Sequence, residues 1–206
     1  MARPPARAAA ARLEGQRSQR AFRALLDTSS RPGTVVDLAA VALPAGVPPA
    51  LVVPLALADV EVAVAVLGDD AGAWWELVRD ATGARPATPD TADVVVALGP
   101  LAAAEVMALR RGTAEEPERG ARLALACTGL HPGGAEGEVV LELAGPGVDG
   151  HRRLGVDGVH VEVVDALVAV NATFPRGVDT WLATPDGRLA ALPRSTRVRR
   201  LDPEET

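Results

Sequence analysis

Apolar residues in the first part of this 206-residue chain recur with the period of a helix. Phe22, Leu25 and Leu26 stand at the i, i+3, i+4 spacing of one helical face, which predicts an amphipathic helix over residues 14–29. An Arg-Pro-Gly segment ends it, because proline disfavours helix in the preceding residue and glycine tolerates a left-handed turn. A short strand is expected to follow over residues 34–38.

Further along, runs rich in valine and alanine alternate with stretches of helical character. Strands are predicted at residues 61–67, 93–98, 122–127 and 138–144, and helices at 51–58, 74–81, 101–110 and 159–170. Two last apolar runs, residues 178–183 and 188–192, flank a Thr-Pro-Asp-Gly turn and predict a terminal hairpin. This interleaving favours an α/β fold, a three-layer sandwich with a mixed sheet.

Composition narrows the function classes. Charged residues make up 23% of the chain, the net charge is -6 and aromatic residues are 2%, whereas nucleic-acid binders more often combine a basic excess with aromatic side chains. The sequence contains no apolar stretch of 18 residues and no apolar segment typical of a secretory signal. A soluble, cytoplasmic protein that binds neither nucleic acid nor membrane is therefore predicted.

All 21 residues counted as lysine or arginine are arginine. Without lysine the chain cannot form a Schiff base with pyridoxal phosphate or a carbonyl substrate, and it lacks the lysine of a P-loop. Its one cysteine excludes an intramolecular disulfide.

Two motifs that suggest cofactors are incomplete. Residues 145–150 spell G-x-G-x-x-G after a predicted strand, but Pro146 occupies the tight turn and no helix opens behind it, so a connection between strands is favoured over a nucleotide site. Cys127 and His131 have the spacing of two metal ligands, but the other ligands are missing nearby, which favours a structural cysteine. We predict no cofactor and no metal.

Acidic residues give weak signals for chemistry. The adjacent pairs at residues 69–70 and 115–116 are expected to be solvated. Asp59 and Asp179 each flank an apolar strand, where a buried carboxylate needs partners, and capping of nearby backbone is favoured over acid–base chemistry.

Arginines gather around the predicted terminal hairpin. Arg176, Arg194 and Arg197 are expected to converge if the hairpin forms, and grouped guanidinium groups suit a phosphate or phosphonate oxyanion. An arginine-rich rim for a partner protein explains them equally well. Both interpretations stay open at this point.

Five segments, in order and spread over about residues 16–199, carry a resemblance to a known family. They are QRAFRALLDTSSRPGTVVDL, ALAD at residues 56–59, RRGTAEEPERGARLAL, LELAGPGV and FPRGVDTWLATPDGRLAALPRSTRV. On these segments the chain resembles the PhnH family, subunits of the bacterial carbon–phosphorus (C–P) lyase system that degrades phosphonates. Where relatives often carry Thr-Pro-Val-Trp-Leu, residues 62–66 read Val-Ala-Val-Ala-Val, so a contact made by that tryptophan is not carried over.

The resemblance implies a fold similar to pyridoxal-phosphate-dependent transferases but without the cofactor lysine. It also implies a homodimer and a core complex with PhnG, PhnI and PhnJ. With PhnG, PhnI and PhnL, such a subunit supports transfer of ribose 5-triphosphate from ATP to a phosphonate. Radical cleavage belongs to PhnJ.

Two hypotheses follow for this chain, neither with a catalytic residue. In the first it is a scaffolding subunit whose terminal hairpin forms a sheet edge, and Phe174, Pro175, Val178 and Trp181 contact a partner. In the second, a small-ligand site for a phosphonate or nucleotide is built by three arginines. These are Arg31, Arg176 and Arg194.

The predicted domain division is simple. Residues 1–14 form a flexible extension rich in arginine and alanine, residues 15–200 form one domain, and residues 201–206 form a tail.

Overall fold

A computed structural model of the chain describes residues 9–201. The helices are α1 Gly15–Ser30, α2 Val52–Leu57, α3 Ala71–Thr82, α4 Ala103–Ala108 and α5 Val161–Asn171. The strands are β1 Val36–Asp37, β2 Ala63–Leu67, β3 Arg85–Pro86, β4 Val94–Ala97, β5 Arg122–Ala126, β6 Gly129–Pro132, β7 Val139–Ala144, β8 Arg152–Asp157, β9 Asp179–Ala183, β10 Arg188–Leu192 and β11 Arg197–Leu201. Short 3-10 turns lie at Ala39–Val41, Pro49–Leu51 and Pro117–Arg119.

Seven strands form a mixed sheet in the order β1-β10-β9-β5-β4-β2-β3. From β3 to β9 neighbouring strands run parallel, while β10 is antiparallel to both β9 and β1. The predicted α/β class and mixed sheet are confirmed. A second, antiparallel sheet in the order β11-β7-β8-β6 was not predicted, because β8 and β11 are rich in arginine and lack a clear apolar run.

Two hydrophobic cores lie on opposite faces of the seven-stranded sheet. Along β4, for example, Val94 and Val96 belong to one core and Val95 to the other, as the period of a strand requires. The first core, here called the α1-side core, is shared with helices α1, α2 and α3. The second, the α5-side core, is shared with α4, α5 and the four-stranded sheet. Because the central strands are covered on both faces, their sequences are almost continuously apolar.

Helix α1 is confirmed, but its buried face differs from the one that the apolar spacing suggests. Ala21, Leu25 and Thr28 are buried against the sheet, whereas Phe22 and Leu26 are 52% and 55% exposed. Small side chains at two of the three buried positions let α1 lie close to β10.

The terminal hairpin, β9 and β10, lies inside the sheet and not at its edge. Strand β9 is hydrogen-bonded to β5 and to β10, and β10 pairs in turn with β1. The prediction of an unpaired edge is therefore wrong. The prediction failed because the sequence of an apolar strand does not show whether a distant segment, here β1, pairs with its free edge.

The chain ends are only partly described. Residues 1–8 and 202–206, which hold most of the predicted extension and tail, lie outside the described residues. Within the predicted extension, Ala11 is buried and Arg12 Nε donates to the Ala81 carbonyl at 3.2 Å. At the other end, Leu201 pairs with Val140 as the last residue of β11. Over residues 9–201, no helix is long and apolar enough to cross a bilayer.

Candidate functional site

A cleft of about 280 Å³ opens between helix α5 and the turn that joins β10 to β11. We call it the α5 cleft. Its walls are apolar side chains of α5 on one side and of the β-strands on the other. These residues are Val164, Leu167, Val168, Leu192 and Val198. The segment that the sequence singled out, from Phe174 to Arg197, therefore supplies much of one cavity.

Hydroxyl-bearing residues of the cleft come from one strand and one turn. Thr180 lies on β9, and Ser195 and Thr196 lie in the turn after β10. Thr180 and Thr196 are 1% and 5% exposed, and within residues 9–201 neither hydroxyl oxygen has a hydrogen-bond partner. Two buried hydroxyls without partners beside one cavity are unusual, because buried polar groups are nearly always satisfied.

The loop that carries Phe174 is fixed by Asn171, the last residue of α5. Its side-chain Nδ2 donates to the Val178 carbonyl at 3.2 Å, and its Oδ1 accepts the Val178 N–H at 2.8 Å. A Cβ added at Gly177 would collide with Asn171 Oδ1, so this close approach requires glycine. The peptide bond between Phe174 and Pro175 is cis.

Arg194 is held in an ion pair. Its Nε lies 3.1 Å from both oxygens of Asp179, its Nη2 lies 2.6 Å from Asp179 Oδ2, and its Nη1 donates to the Pro117 carbonyl. The Arg194 backbone N–H also donates to Asp179 Oδ1 at 2.9 Å. Asp179 thus has the structural role that was favoured for it, and the Arg194 guanidinium is already neutralised.

The three arginines of the predicted ligand site have separate surroundings. Arg31 is exposed at the end of α1 and pairs with Asp27 at 3.3 Å. Arg176 is exposed in the loop after α5. Arg194 is paired with Asp179. None of the contacts described for them is shared, and their role as ligand residues stays a prediction.

The four residues of the predicted partner contact are divided between surface and interior. Phe174 is 64% exposed at the cleft and Pro175 is half-buried. Val178 is buried in the α5-side core, and Trp181 is buried in the α1-side core, with Nε1 at 3.5 Å from the Leu25 carbonyl oxygen. A partner could meet the first two without rearrangement of the fold, but not the other two.

Cys127 is unsuited to nucleophilic chemistry. Burial, with smaller contributions from the charges of Asp157 and Asp186, raises the pKa of its thiol to about 12. Since the thiolate is the reactive form, this cysteine behaves as a small buried side chain, as predicted.

Near Cys127, sequence analysis missed a pair formed by His131 and Asp157. His131 Nε2 lies 2.6 Å from Asp157 Oδ2, and Asp157 Oδ1 accepts the Glu138 N–H at 2.7 Å. The hydrogen bond from His131, followed by that from Glu138, lowers the pKa of the Asp157 carboxyl. The pair joins β6, β8 and the start of β7. In the part of the chain that is described, no three His, Cys, Asp or Glu residues are grouped to hold a metal.

The glycine motif of residues 145–150 is a connection between β7 and β8. Gly147, at φ +78°, packs against the Ser30 carbonyl at the end of α1, where a Cβ would not fit. Strand β8 follows where a nucleotide site would need a helix N-terminus. The predicted connection between two strands is confirmed.

Comparison with known proteins covers almost the whole fold. The model of a family described as bacterial phosphonate metabolism protein (PhnH) matches residues 11–199. A protein of Stutzerimonas stutzeri, named as a candidate C–P lyase subunit protein, HtxG, is 32% identical over 198 residues. That alignment covers 96% of this chain and 94% of the relative. The family match includes every residue that lines the α5 cleft.

Proposed function

The chain belongs to the PhnH family of bacterial phosphonate metabolism proteins, as its five segments indicated, and on this premise we propose that it is a non-catalytic scaffolding subunit of a C–P lyase complex. Its proposed partners are PhnG, PhnI and PhnJ, and it is proposed to be cytoplasmic and to form a homodimer. With PhnG, PhnI and PhnL it would support transfer of ribose 5-triphosphate from ATP to an alkylphosphonate. The name of the Stutzerimonas relative supports the complex, and the family supports the pathway.

The observation that carries the scaffolding role is the exposure of Phe174. Its side chain is 64% exposed in the lining of the α5 cleft, which also includes Val168, 38% exposed on α5. Aromatic residues are enriched where protein interfaces are fully buried. The hydrogen bonds of Asn171 to the backbone of Val178 hold this loop in place, so Phe174 is presented on a fixed support.

The chemistry of the described residues supports a role without catalysis. The Cys127 thiol is buried with its pKa raised to about 12. Arg194, which sequence analysis placed near a ligand, is instead bound to Asp179. The proposed likeness to pyridoxal-phosphate-dependent transferases is consistent with this role, because a chain without lysine cannot form an aldimine with that cofactor.

The alternative function is binding of a phosphonate or nucleotide by Arg31, Arg176 and Arg194. The exposure of Arg31 and Arg176 favours it, and the pairing of Arg194 with Asp179 weakens it. Calorimetry of the isolated protein with ATP and with methylphosphonate tests it. Binding that is lost in Arg31→Ala and Arg176→Ala would support this alternative, and no heat at millimolar ligand would reject it.

Co-expression tests the scaffolding role. Tagged protein is produced with PhnG, PhnI and PhnJ from the same genome, and the captured material is resolved by size exclusion. We expect a stable complex with the natural chain and loss of that complex with Phe174→Asp.

The chain offers a matched control for this test. Phe22, the other phenylalanine, is 52% exposed on α1, away from the α5 cleft, so Phe22→Asp introduces the same charge at a different surface. We expect Phe22→Asp to assemble normally. Normal assembly of Phe174→Asp would contradict the proposed contact, and elution of the natural chain alone would contradict the scaffolding role. Trp181→Asp is not informative here, because a buried charge in the α1-side core would disrupt the fold.

A further inference from the structure

We infer that the α5 cleft is a binding site for a small molecule with an apolar body and an anionic, oxygen-bearing head, whose oxygens accept hydrogen bonds from Thr180 and Thr196. This site shares only Arg194 with the proposed arginine site, and it does not depend on assembly with other subunits.

The two hydroxyls are the first observation. Thr180 is 1% exposed and Thr196 is 5% exposed, and neither oxygen has a partner within residues 9–201. The other two buried threonines are satisfied. Thr28 donates to the carbonyls of Ala24 and Leu25 at 2.9 and 3.0 Å, and Thr184 accepts the Arg188 N–H at 3.0 Å. A buried hydroxyl without a partner costs about 1–3 kcal/mol of stability. A ligand that accepts a hydrogen bond from it removes this cost and therefore binds more tightly.

Both hydroxyls belong to backbone that is already fixed. Thr180 pairs with Leu192 on β10 and with Leu123 on β5, which places its side chain on the same face of β9 as Leu182 and toward α5. Thr196 closes a turn in which its N–H donates to the Pro193 carbonyl at 2.9 Å. Donors on rigid elements lose little freedom when a ligand binds, which favours affinity.

The apolar walls define the body of the ligand. Val164 and Leu167 of α5 face Leu192 and Val198 across the cleft. Its volume of about 280 Å³ exceeds the cavity of about 150 Å³ that holds a benzene molecule. A short alkyl or aryl group therefore fits between the walls.

The charge of the lining favours an anionic head. No acidic side chain of the described residues lines the cleft, while Arg194 and Arg197 both do. Arg194 is neutralised by Asp179. Arg197 is exposed, and no carboxylate of residues 9–201 forms an ion pair with it. A guanidinium without a carboxylate partner among residues 9–201, together with two hydroxyl donors, suits a carboxylate or a phosphonate group.

Calorimetry of the purified full chain with four probes tests the site. The probes are hexylphosphonate, hexanoate, 1-hexanol and inorganic phosphate. We expect saturable binding of at least one hexyl anion, binding of 1-hexanol weaker by about tenfold or more, and no binding of phosphate, which lacks the apolar body. The ratio of the two hexyl anions distinguishes a phosphonate site from a carboxylate site. Equal binding of 1-hexanol would overturn the anionic head, and no saturable binding at millimolar probe would overturn the site.

Substitution identifies the residues. Thr180→Val and Thr196→Val keep the shape of the side chain and remove the hydroxyl, and each should weaken binding of the preferred anion by about tenfold without lowering the melting temperature. Arg197→Ala, on the surface, should weaken it as well. Thr184→Val, at a satisfied threonine outside the cleft, is the control and should bind normally. Unchanged affinity in all three cleft variants would overturn the assignment.

This result is separable from that of the proposed function. Failure to bind any probe leaves co-assembly with PhnG, PhnI and PhnJ untouched, whereas failure to assemble leaves the calorimetry of the isolated chain unaffected.

Discussion

Thr180 and Trp181 are neighbours on β9, yet their side chains face different interiors. Trp181 lies in the α1-side core, where Leu25 packs and where the hydroxyl of Thr28 is fully bonded. Thr180 faces the α5 side, where the cleft opens and its hydroxyl lacks a partner among the described residues. Strand β9 thus separates two different interiors. On the α1 side the Thr28 hydroxyl is hydrogen-bonded, and on the α5 side there are a cleft and hydroxyls without partners among the described residues. Substitutions on the first face are expected to affect stability, and substitutions at the cleft are expected to affect the proposed binding.

Removal of Trp181 tests the α1 side and should have the largest effect. Trp181→Ala deletes a large buried side chain and is expected to lower the free energy of unfolding by about 3–5 kcal/mol, measured by urea denaturation. Phe174→Ala, at a 64% exposed position, should change it by less than about 0.5 kcal/mol. Similar losses in the two variants would contradict the burial of Trp181 in the α1-side core and the exposure of Phe174.

Loss of the ion pair between Asp179, at the start of β9, and Arg194 should have the second-largest effect on stability. Asp179→Ala leaves the Arg194 guanidinium, only 10% exposed, without its carboxylate and should cost about 2–3 kcal/mol. The double variant with Arg194→Met should recover part of this loss. Asp80→Ala, which breaks a surface pair with Arg79, is the control and should cost less than about 1 kcal/mol. If Asp179→Ala and Asp80→Ala lowered the free energy of unfolding equally, a structural role for Asp179 would be contradicted.

Removal of the hydroxyl from Thr184 and from Thr180 should change the stability of the protein in opposite directions. Thr184→Val removes a hydroxyl that accepts the Arg188 N–H, and it should destabilise the protein by about 1–2 kcal/mol. Thr180→Val removes a hydroxyl without a partner and should stabilise it by about 1 kcal/mol. Thermal unfolding of both variants measures the difference. Destabilisation by Thr180→Val would show that this hydroxyl is satisfied.

The smallest effect is expected at Asp157, in the four-stranded sheet of the α5 side. Its pKa is lowered in the folded state by His131 and Glu138, so its contribution to stability is present above the ordinary aspartate pKa of about 3.9. That contribution is lost as the pH falls through this value and through the lower pKa of the folded state. Urea denaturation from pH 6 to pH 3 should therefore show a shallower pH dependence for Asp157→Asn than for the natural chain. Identical slopes would mean that the hydrogen bonds of Asp157 do not favour its charged form.

The parts of the fold that sequence predicted are those with a local pattern. Helix α1, strand β4 and helix α5 each carry their period within a dozen or so residues, and each was found close to its predicted position. The four-stranded sheet was missed because its pairing is distant. Strand β11 pairs with β7, with Arg199 opposite Glu142. Neither β8 nor β11 is apolar enough to be predicted as a strand from its own sequence.

The sequence indicated the segment that lines the candidate site, but it did not indicate which residues of that segment lie in the cleft. The Phe174–Arg197 region does line the cleft, but two of its most apolar members, Val178 and Trp181, are needed by the cores. Thr180 carries no signal in sequence, because a threonine is common in a strand and the lack of a partner is a property of three dimensions. The His131–Asp157 pair was missed for the same reason, since 26 residues separate its members.

The position of β9 and β10 in the sheet has a consequence for how the protein is made. These strands are near the C-terminus, yet they fill the gap between β5 and β1. A ribosome that has translated most of the chain therefore holds a sheet with an open edge at β5 and an N-terminal strand without its neighbour. Open strand edges invite pairing with other nascent chains, and here the edges at β5 and β1 are covered only when β9 and β10 are in place.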